Sequence, residues 1–184
     1  MVKKAFFLDR DGTVNVEVDY LGNPDEAVLL DGVGEAIKNI HAAGFLAIAV
    51  TNQAGVAKGY YPEANVHAVN TRIQQMLLTQ YGADALIDGW YYCPHHPDFT
   101  GACRCRKPQP GMLLQAAADF GIDLKHSFMI GDRMSDLDVG ANAGCAAECL
   151  VLTGYGLKHE EKAVSAGYQV APDLQAAVEL LLGS

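Results

Sequence analysis

The chain alternates short, wholly apolar runs with longer stretches whose apolar positions recur at helical spacing. Ala5-Phe6-Phe7-Leu8 is apolar throughout, and Phe45 to Val50 is nearly so. A strand covered on both faces reads this way, because neither row of side chains meets water. Between them Val14 to Asp31 is polar and turn-rich without helical period, and Val33, Ala36, Ile37 and Ile40 then predict a helix that Gly44 stops. A turn from Gly55 to Gly59 leads to Pro62, which opens a helix with the stripe Val66, Val69, Ile73 and Leu77, closed by Gly82. Asp88 to Tyr92 predicts a strand, Cys93 to Pro110 has no period, and Gly111 to Phe120 returns to helix. Strands at Ser127–Ile130, Cys149–Leu152 and Tyr168–Val170 alternate with helices at Ser135–Ala143 and His159–Ser165 and a last helix capped by Asp173. Such alternation predicts a three-layer α/β/α Rossmann-like sandwich with a mainly parallel sheet.

Length and composition narrow this picture. With 184 residues and no repeat, linker or low-complexity tract, residues 1–184 are expected to form a single domain, acting as a monomer. A net charge of −9 opposes non-specific nucleic-acid binding, so no nucleic-acid partner is expected. No leader and no apolar run of about 20 residues is present, which predicts a soluble, cytoplasmic protein without a membrane partner.

The chemistry gathers where apolar runs end. Asp9 and Asp11 follow the first strand, with Gly12 inviting a turn that swings the second acid over the first. A carboxylate such as Asp9 can attack phosphorus and carry it as an aspartyl phosphate, while Asp11 protonates the leaving oxygen and then deprotonates water. Anionic phosphate and bare carboxylate repel, so a cation must lie between them, and Mg2+ suits oxygen ligands. Thr51 ends the second strand, offering a hydroxyl and following N–H groups; Asp132 ends the fourth and supplies another acid for Mg2+, with Asp136 placed to orient Lys107 or loop backbone. Taken singly, each has a plainer reading: acids and Thr at turns, a helix first-turn acid at Asp136, a solvated loop lysine at Lys107. Lys107, preceding Pro108, is expected on extended, exposed backbone. Three strand ends share one crevice in such sheets, which favours the joint reading.

The cysteine count of five is odd. Cys93, His95, Cys103 and Cys105 form Cys-x-His and Cys-x-Cys, a donor set for a closed, structural Zn2+ site; His96 is the alternative imidazole, and free thiols the plainer reading. Zinc would staple the loop of about 93–110, which lacks its own core. Cys145 and Cys149 read as small core residues, and Trp90, Tyr91 and Tyr92 as strand packing.

Asp9-Arg10-Asp11-Gly12-Thr13-Val14-Asn15, Thr51-Asn52-Gln53, Cys93-Pro94-His95 with Cys103-Arg104-Cys105-Arg106-Lys107-Pro108, and Gly131-Asp132 with Asp136 occur in the order seen in the haloacid dehalogenase superfamily of phosphatases. The chain resembles that superfamily over nearly its whole length, and within it the branch acting on heptose bisphosphates and histidinol phosphate. The resemblance implies catalysis by Asp9, Asp11, Thr51 and Lys107, with Mg2+ held by the Asp9 carboxylate, the Asp11 carbonyl and the Asp132 carboxylate. It gives His95 rather than His96 to the zinc and Arg106 to substrate recognition. Glu17, Asp19, Tyr20, Asn52, Gln53 and Arg133 are the further expected substrate contacts. It implies no separate cap domain and a small phosphorylated sugar as partner: a heptose 1,7-bisphosphate losing its 7-phosphate in nucleotide-activated heptose biosynthesis for lipopolysaccharide. Histidinol phosphate is the alternative substrate, and Gln109-Pro110-Gly111-Met112-Leu113 favours the heptose branch. Polynucleotide 3′-phosphatases share the first motif but fit the acidic surface poorly. A zinc-stapled scaffold without turnover is the competing class, disfavoured because every acid and cation of the reaction is present.

Overall fold

The computed structural model describes residues 2–183. Its strands are β1 (Ala5–Leu8), β2 (Leu46–Asn52), β3 (Gly89–Cys93), β4 (Phe128–Gly131), β5 (Ala147–Val151) and β6 (Gln169–Ala171). They form one six-stranded sheet in the order β3-β2-β1-β4-β5-β6, and every pairing is parallel. The helices are α1 (Val33–Ala42), α2 (Ala54–Ala57), α3 (Glu63–Tyr81), α4 (Pro97–Thr100), α5 (Gly111–Phe120), α6 (Met134–Ala143), α7 (Gly156–Ser165) and α8 (Leu174–Leu182).

The central strands are apolar on both faces because each face has its own core. Phe6 and Leu8 of β1, with Ala47 and Ala49 of β2, join the cluster under α1, α3 and α8. Ala5 and Phe7, with Ile48 and Val50, join the opposite cluster under α5, where Met112, Leu113 and Ala116 close it. Successive side chains point to opposite faces of a strand, so one run of four apolar residues serves two layers. The result is the expected three-layer α/β/α sandwich. The predicted α3 stripe, Val66, Val69, Ile73 and Leu77, is fully buried.

Several boundaries move for identifiable reasons. β2 extends past Val50 through Asn52 because Thr51 and Asn52 pair with Tyr92 and Cys93 of β3. The expected turn at Gly55–Gly59 contains α2, and the expected irregular stretch after Cys93 contains α4, which starts at Pro97, where a missing N–H costs nothing. The 14–31 stretch holds a 3-10 turn at Pro24–Glu26 capped by Asn23. α7 begins three residues before His159, at Gly156, where any Cβ would strike the Val151 carbonyl; that close approach lets the helix start immediately behind β5. Among the described residues no inserted domain stands between these elements, and no helix is long and apolar enough to cross a membrane.

The chain builds β1, β2 and β3 outward on one side, then crosses to β4 on the other side of β1. Ligands in open parallel sheets bind beyond the strand carboxyl ends at this reversal. Asp9 and Asp132 are the residues that directly follow β1 and β4 there.

Candidate active site

Asp9 leaves β1 with its N–H bonded to Ile130 of β4 at 2.9 Å, so the sheet itself fixes where its carboxylate begins. Gly12 then turns the chain at φ 84°, and a side chain there would collide with the Asp132 carboxylate; a Cβ at Gly154 would strike the same group. Both positions therefore require glycine for space and, with Gly154 at φ 54°, for conformation as well. Thr153 holds the turn by donating to the Gly12 carbonyl at 2.5 Å.

Lys107 is 4% exposed, which overturns its expected exposure. Pro108 restricts the backbone, but the ammonium is drawn inward by three acceptors: Asp9 Oδ1 at 2.7 Å, Asp136 Oδ1 at 2.8 Å and the Val50 carbonyl at 2.8 Å. Asp9 and Val50 accept hydrogen bonds from it, and Asp136 pairs with its charge. Burial works against the charge, yet Asp136 and Asp9 together hold the Lys107 pKa above its ordinary value. Burial pushes the Asp9 carboxyl well up, with Lys107 opposing it and Asp136 and Asp132 adding to it. Both protein contacts to Asp9, from Lys107 and from the Arg10 N–H at 2.8 Å, fall on Oδ1. Oδ2 is left for the cavity.

Asp132 is fully buried, and its Oδ2 accepts from the Tyr155 N–H at 2.7 Å. Its Oδ1 has no hydrogen bond, only the Arg133 guanidinium at 3.8 Å, and burial, reinforced by Asp136, raises its pKa to about 6. An orphaned buried carboxylate oxygen is costly unless a cation completes it. Oxygens of Asp9, Asp132 and Asp136 lie within 4.8 Å of one another, a donor set suited to a hard divalent ion. Asp136 itself is largely consumed by Lys107 and by the Arg133 N–H at 2.9 Å, so it positions the lysine as expected.

Asp11 is held by a network the sequence only half announced. Arg10 is fully buried and clamps it from Nη2 at 2.8 Å and from Nε at 3.2 Å, while its Nη1 donates to Asn70 of α3 at 3.0 Å. Arg10 and Asn70 were not foreseen as functional. The available signal was Asn70, a polar residue beside Val69 in the buried stripe. Gln53, expected on substrate, lines the cavity and donates to Asp11 Oδ2 and Thr51 Oγ1, each at 2.9 Å, and is itself fixed by the Tyr61 hydroxyl. Asn52, likewise expected on substrate, brackets the Lys107 peptide, accepting from its N–H at 3.0 Å and donating to its carbonyl at 3.2 Å.

A cavity of about 360 Å³ takes in Asp9, Asp11, Thr51 and Lys107 at its floor, with Glu17, Asp19, Tyr20, Asn52, Gln53, Arg106 and Arg133 also lining it. On one wall Arg133 pairs with Glu17 at 3.5 Å and lies 4.0 Å from the Tyr155 ring, whose hydroxyl donates to Asp19 at 2.9 Å. Burial, helped by Asp11, raises Glu17 to about 7.

The other wall is the cysteine loop. Cys93 Sγ lies 2.8 Å from Cys105 Sγ and 3.6 Å from Cys103 Sγ, and His95 Nδ1 lies 3.3 Å from Cys105 Sγ and 3.8 Å from Cys93 Sγ. Metal–sulfur arms of about 2.3 Å give a tetrahedron edges of about 3.8 Å, near the Cys93–Cys103 and Cys103–Cys105 separations of 3.6 and 3.5 Å and wider than Cys93–Cys105. His96 is excluded from the cluster; its Nδ1 accepts from the Asp98 N–H and caps α4. Arg106 is tied to the loop by donating to the His95 carbonyl at 3.1 Å.

Comparison with known proteins agrees with this geometry. Residues 104–177 match the HAD-hydrolase-like family model. The chain is 41% identical over 164 residues to D-glycero-beta-D-manno-heptose-1,7-bisphosphate 7-phosphatase of Haemophilus ducreyi, covering 87% of this chain and 89% of that protein. It is 40% identical over 155 residues to the Escherichia coli K12 protein of the same name, covering 82% and 80%. The crystal structure of D,D-heptose 1,7-bisphosphate phosphatase from B. bronchiseptica, complexed with magnesium and phosphate, superposes with a TM-score of 0.86 at 37% identity over 98% of each chain.

Proposed function

This chain belongs to the haloacid dehalogenase-like hydrolases, in the family of D-glycero-D-manno-heptose-1,7-bisphosphate 7-phosphatases, and from that premise we propose that it removes the 7-phosphate of such a heptose bisphosphate through phospho-Asp9. One observation carries the reading: Asp9 Oδ1 is fixed by Lys107 and the Arg10 N–H, which leaves Oδ2 for the cavity that Asp9 and Asp11 both line. In the first step Asp9 Oδ2 forms a bond to phosphorus, the bond from phosphorus to the sugar oxygen breaks, and Asp11 gives that oxygen its proton. In the second, water attacks phosphorus, Asp11 takes the proton, and Asp9 and inorganic phosphate separate. Lys107 offsets charge without itself giving up a proton, since two carboxylates keep it an ammonium. Thr51 Oγ1 accepts from Gln53, which turns its own proton toward a phosphoryl oxygen. Asp9, Asp132 and the Asp11 carbonyl would hold Mg2+, which would supply charge neutralisation for the phosphoryl group.

Arg10, Gln53 and Asn15 all donate to Asp11, which fixes its direction for both proton transfers. Glu17, Asp19, Tyr20, Arg106 and Arg133 line the cavity that would receive the sugar, and Cys93, His95, Cys103 and Cys105 would hold Zn2+, which would order the loop that presents Arg106 and Lys107. Initial rates of phosphate release test the substrate. The β-heptose bisphosphate is expected to exceed histidinol phosphate in kcat/KM by about a hundredfold or more, with the α anomer measured beside it. Equal or better turnover of histidinol phosphate would contradict the proposal.

A further inference from the structure

Lys58 takes no part in the chemistry above, yet its surroundings are built. It follows α2 directly, at the rim of the cavity. Its ammonium donates to the Tyr20 hydroxyl and stands 4.6 Å from the centre of the Tyr20 ring, 5.8 Å from Tyr60 and 5.9 Å from Phe99. Tyr20 and Tyr60 meet edge to face at 4.8 Å, so the rings brace one another. Tyr20 reaches this place on a left-handed backbone, φ 59°, the one non-glycine residue at positive φ among those described. That conformation is disfavoured for a bulky side chain and persists where the surroundings impose it, commonly at ligand sites.

The rim is also positively charged in an unusual way. Lys58 and Arg106 line the same cavity, and among the described residues neither forms an ion pair with a carboxylate. Aromatic faces favour a cation without neutralising it, and Tyr20 takes one of the three protons the ammonium can share. Lys107 by contrast is paired with two carboxylates, Asp9 and Asp136, and donates to the Val50 carbonyl. Two unpaired cations converging on a cavity, in a chain of net charge −9, make a ready place for an anion.

The geometry points to Lys58, with Arg106, as the receiver of the phosphate that is not cleaved, which makes Lys58 a specificity-determining residue separating bisphosphates from monophosphates. This rests on the reading that the 7-phosphate is the one at Asp9. The Tyr20, Tyr60 and Phe99 rings position the ammonium and exclude water from one side of it.

The test compares kcat/KM for the heptose 1,7-bisphosphate and for the heptose 7-phosphate, which lacks the second anion, in wild type, Lys58→Met, Lys58→Arg and Tyr20→Phe. Wild type is expected to prefer the bisphosphate. In Lys58→Met that preference should fall about tenfold or more, mainly through KM, with Lys58→Arg recovering much of it and Tyr20→Phe losing about threefold. A wild type that prefers the bisphosphate with a Lys58→Met variant that prefers it equally overturns this inference alone. A wild type with no preference, or no release of the 7-phosphate at all, overturns both this inference and the substrate reading.

Discussion

Lys107 illustrates how much a single buried charge depends on its partners. Its ammonium satisfies Asp9 and Asp136 together, so Lys107→Met should leave two buried carboxylates facing each other. We expect loss of stability of about 3 kcal/mol or more in urea unfolding, together with a fall in kcat of about a thousandfold or more. Unchanged stability would mean that the acids are neutralised without it. Glu148 is a second, independent case: it is half-buried, its Oε1 has no partner, and burial raises its pKa to about 7 from an ordinary 4.5. A group raised on folding contributes its stability below the unfolded value and loses it as pH climbs through the folded one. Glu148→Gln should therefore raise Tm more at pH 8 than at pH 5, by an extra 2–4 °C or about 1 kcal/mol once solvent screening is allowed for. The same gain at both pH values would refute the linkage. Residues of this kind mark where sequence reading stops. Asp9, Asp11 and Lys107 stood out by type and order, whereas the burial of Arg10 against Asp11 and Asn70 depends on a helix sixty residues away.

At the scale of elements, strand interiors and the helical stripes were legible because burial imposes periodicity on them. Ends were less so. Apolar character stops at Val50, but hydrogen bonds to β3 carry β2 on to Asn52, and that extension sets Asn52 against the Lys107 peptide. The cysteine loop was visible as a donor pattern, while α4 inside it was not, since four residues are too few to show a period. The four donors form a candidate metal cluster, and metal analysis of protein purified without chelator is expected to find about one zinc per chain. Stripping that zinc, followed by thermal melts and assays in parallel, should lower Tm before it lowers kcat. An unchanged melt would remove the structural role given to the metal.

For the molecule as a whole, sheet order is what turns scattered motifs into a site. β1 lies between β2 and β4, so Asp9, Thr51 and Asp132, far apart in the chain, come together at one end of three neighbouring strands. Glycines at 12 and 154 then let two loops close on Asp132. Gly154→Ala should push the Asp132 carboxylate from its place, and we expect kcat to fall about tenfold or more, with a higher Mg2+ requirement in titrated assays; retention of both would show that the close packing is dispensable. The central claim is that Asp9 becomes covalently phosphorylated. Rapid acid quench of enzyme turning over heptose bisphosphate, followed by peptide mass spectrometry, should place a labile phosphoryl group on Asp9 in the wild type and none in Asp9→Asn, whose turnover should be lost. An adduct on another residue, or continued turnover by Asp9→Asn, would contradict the account.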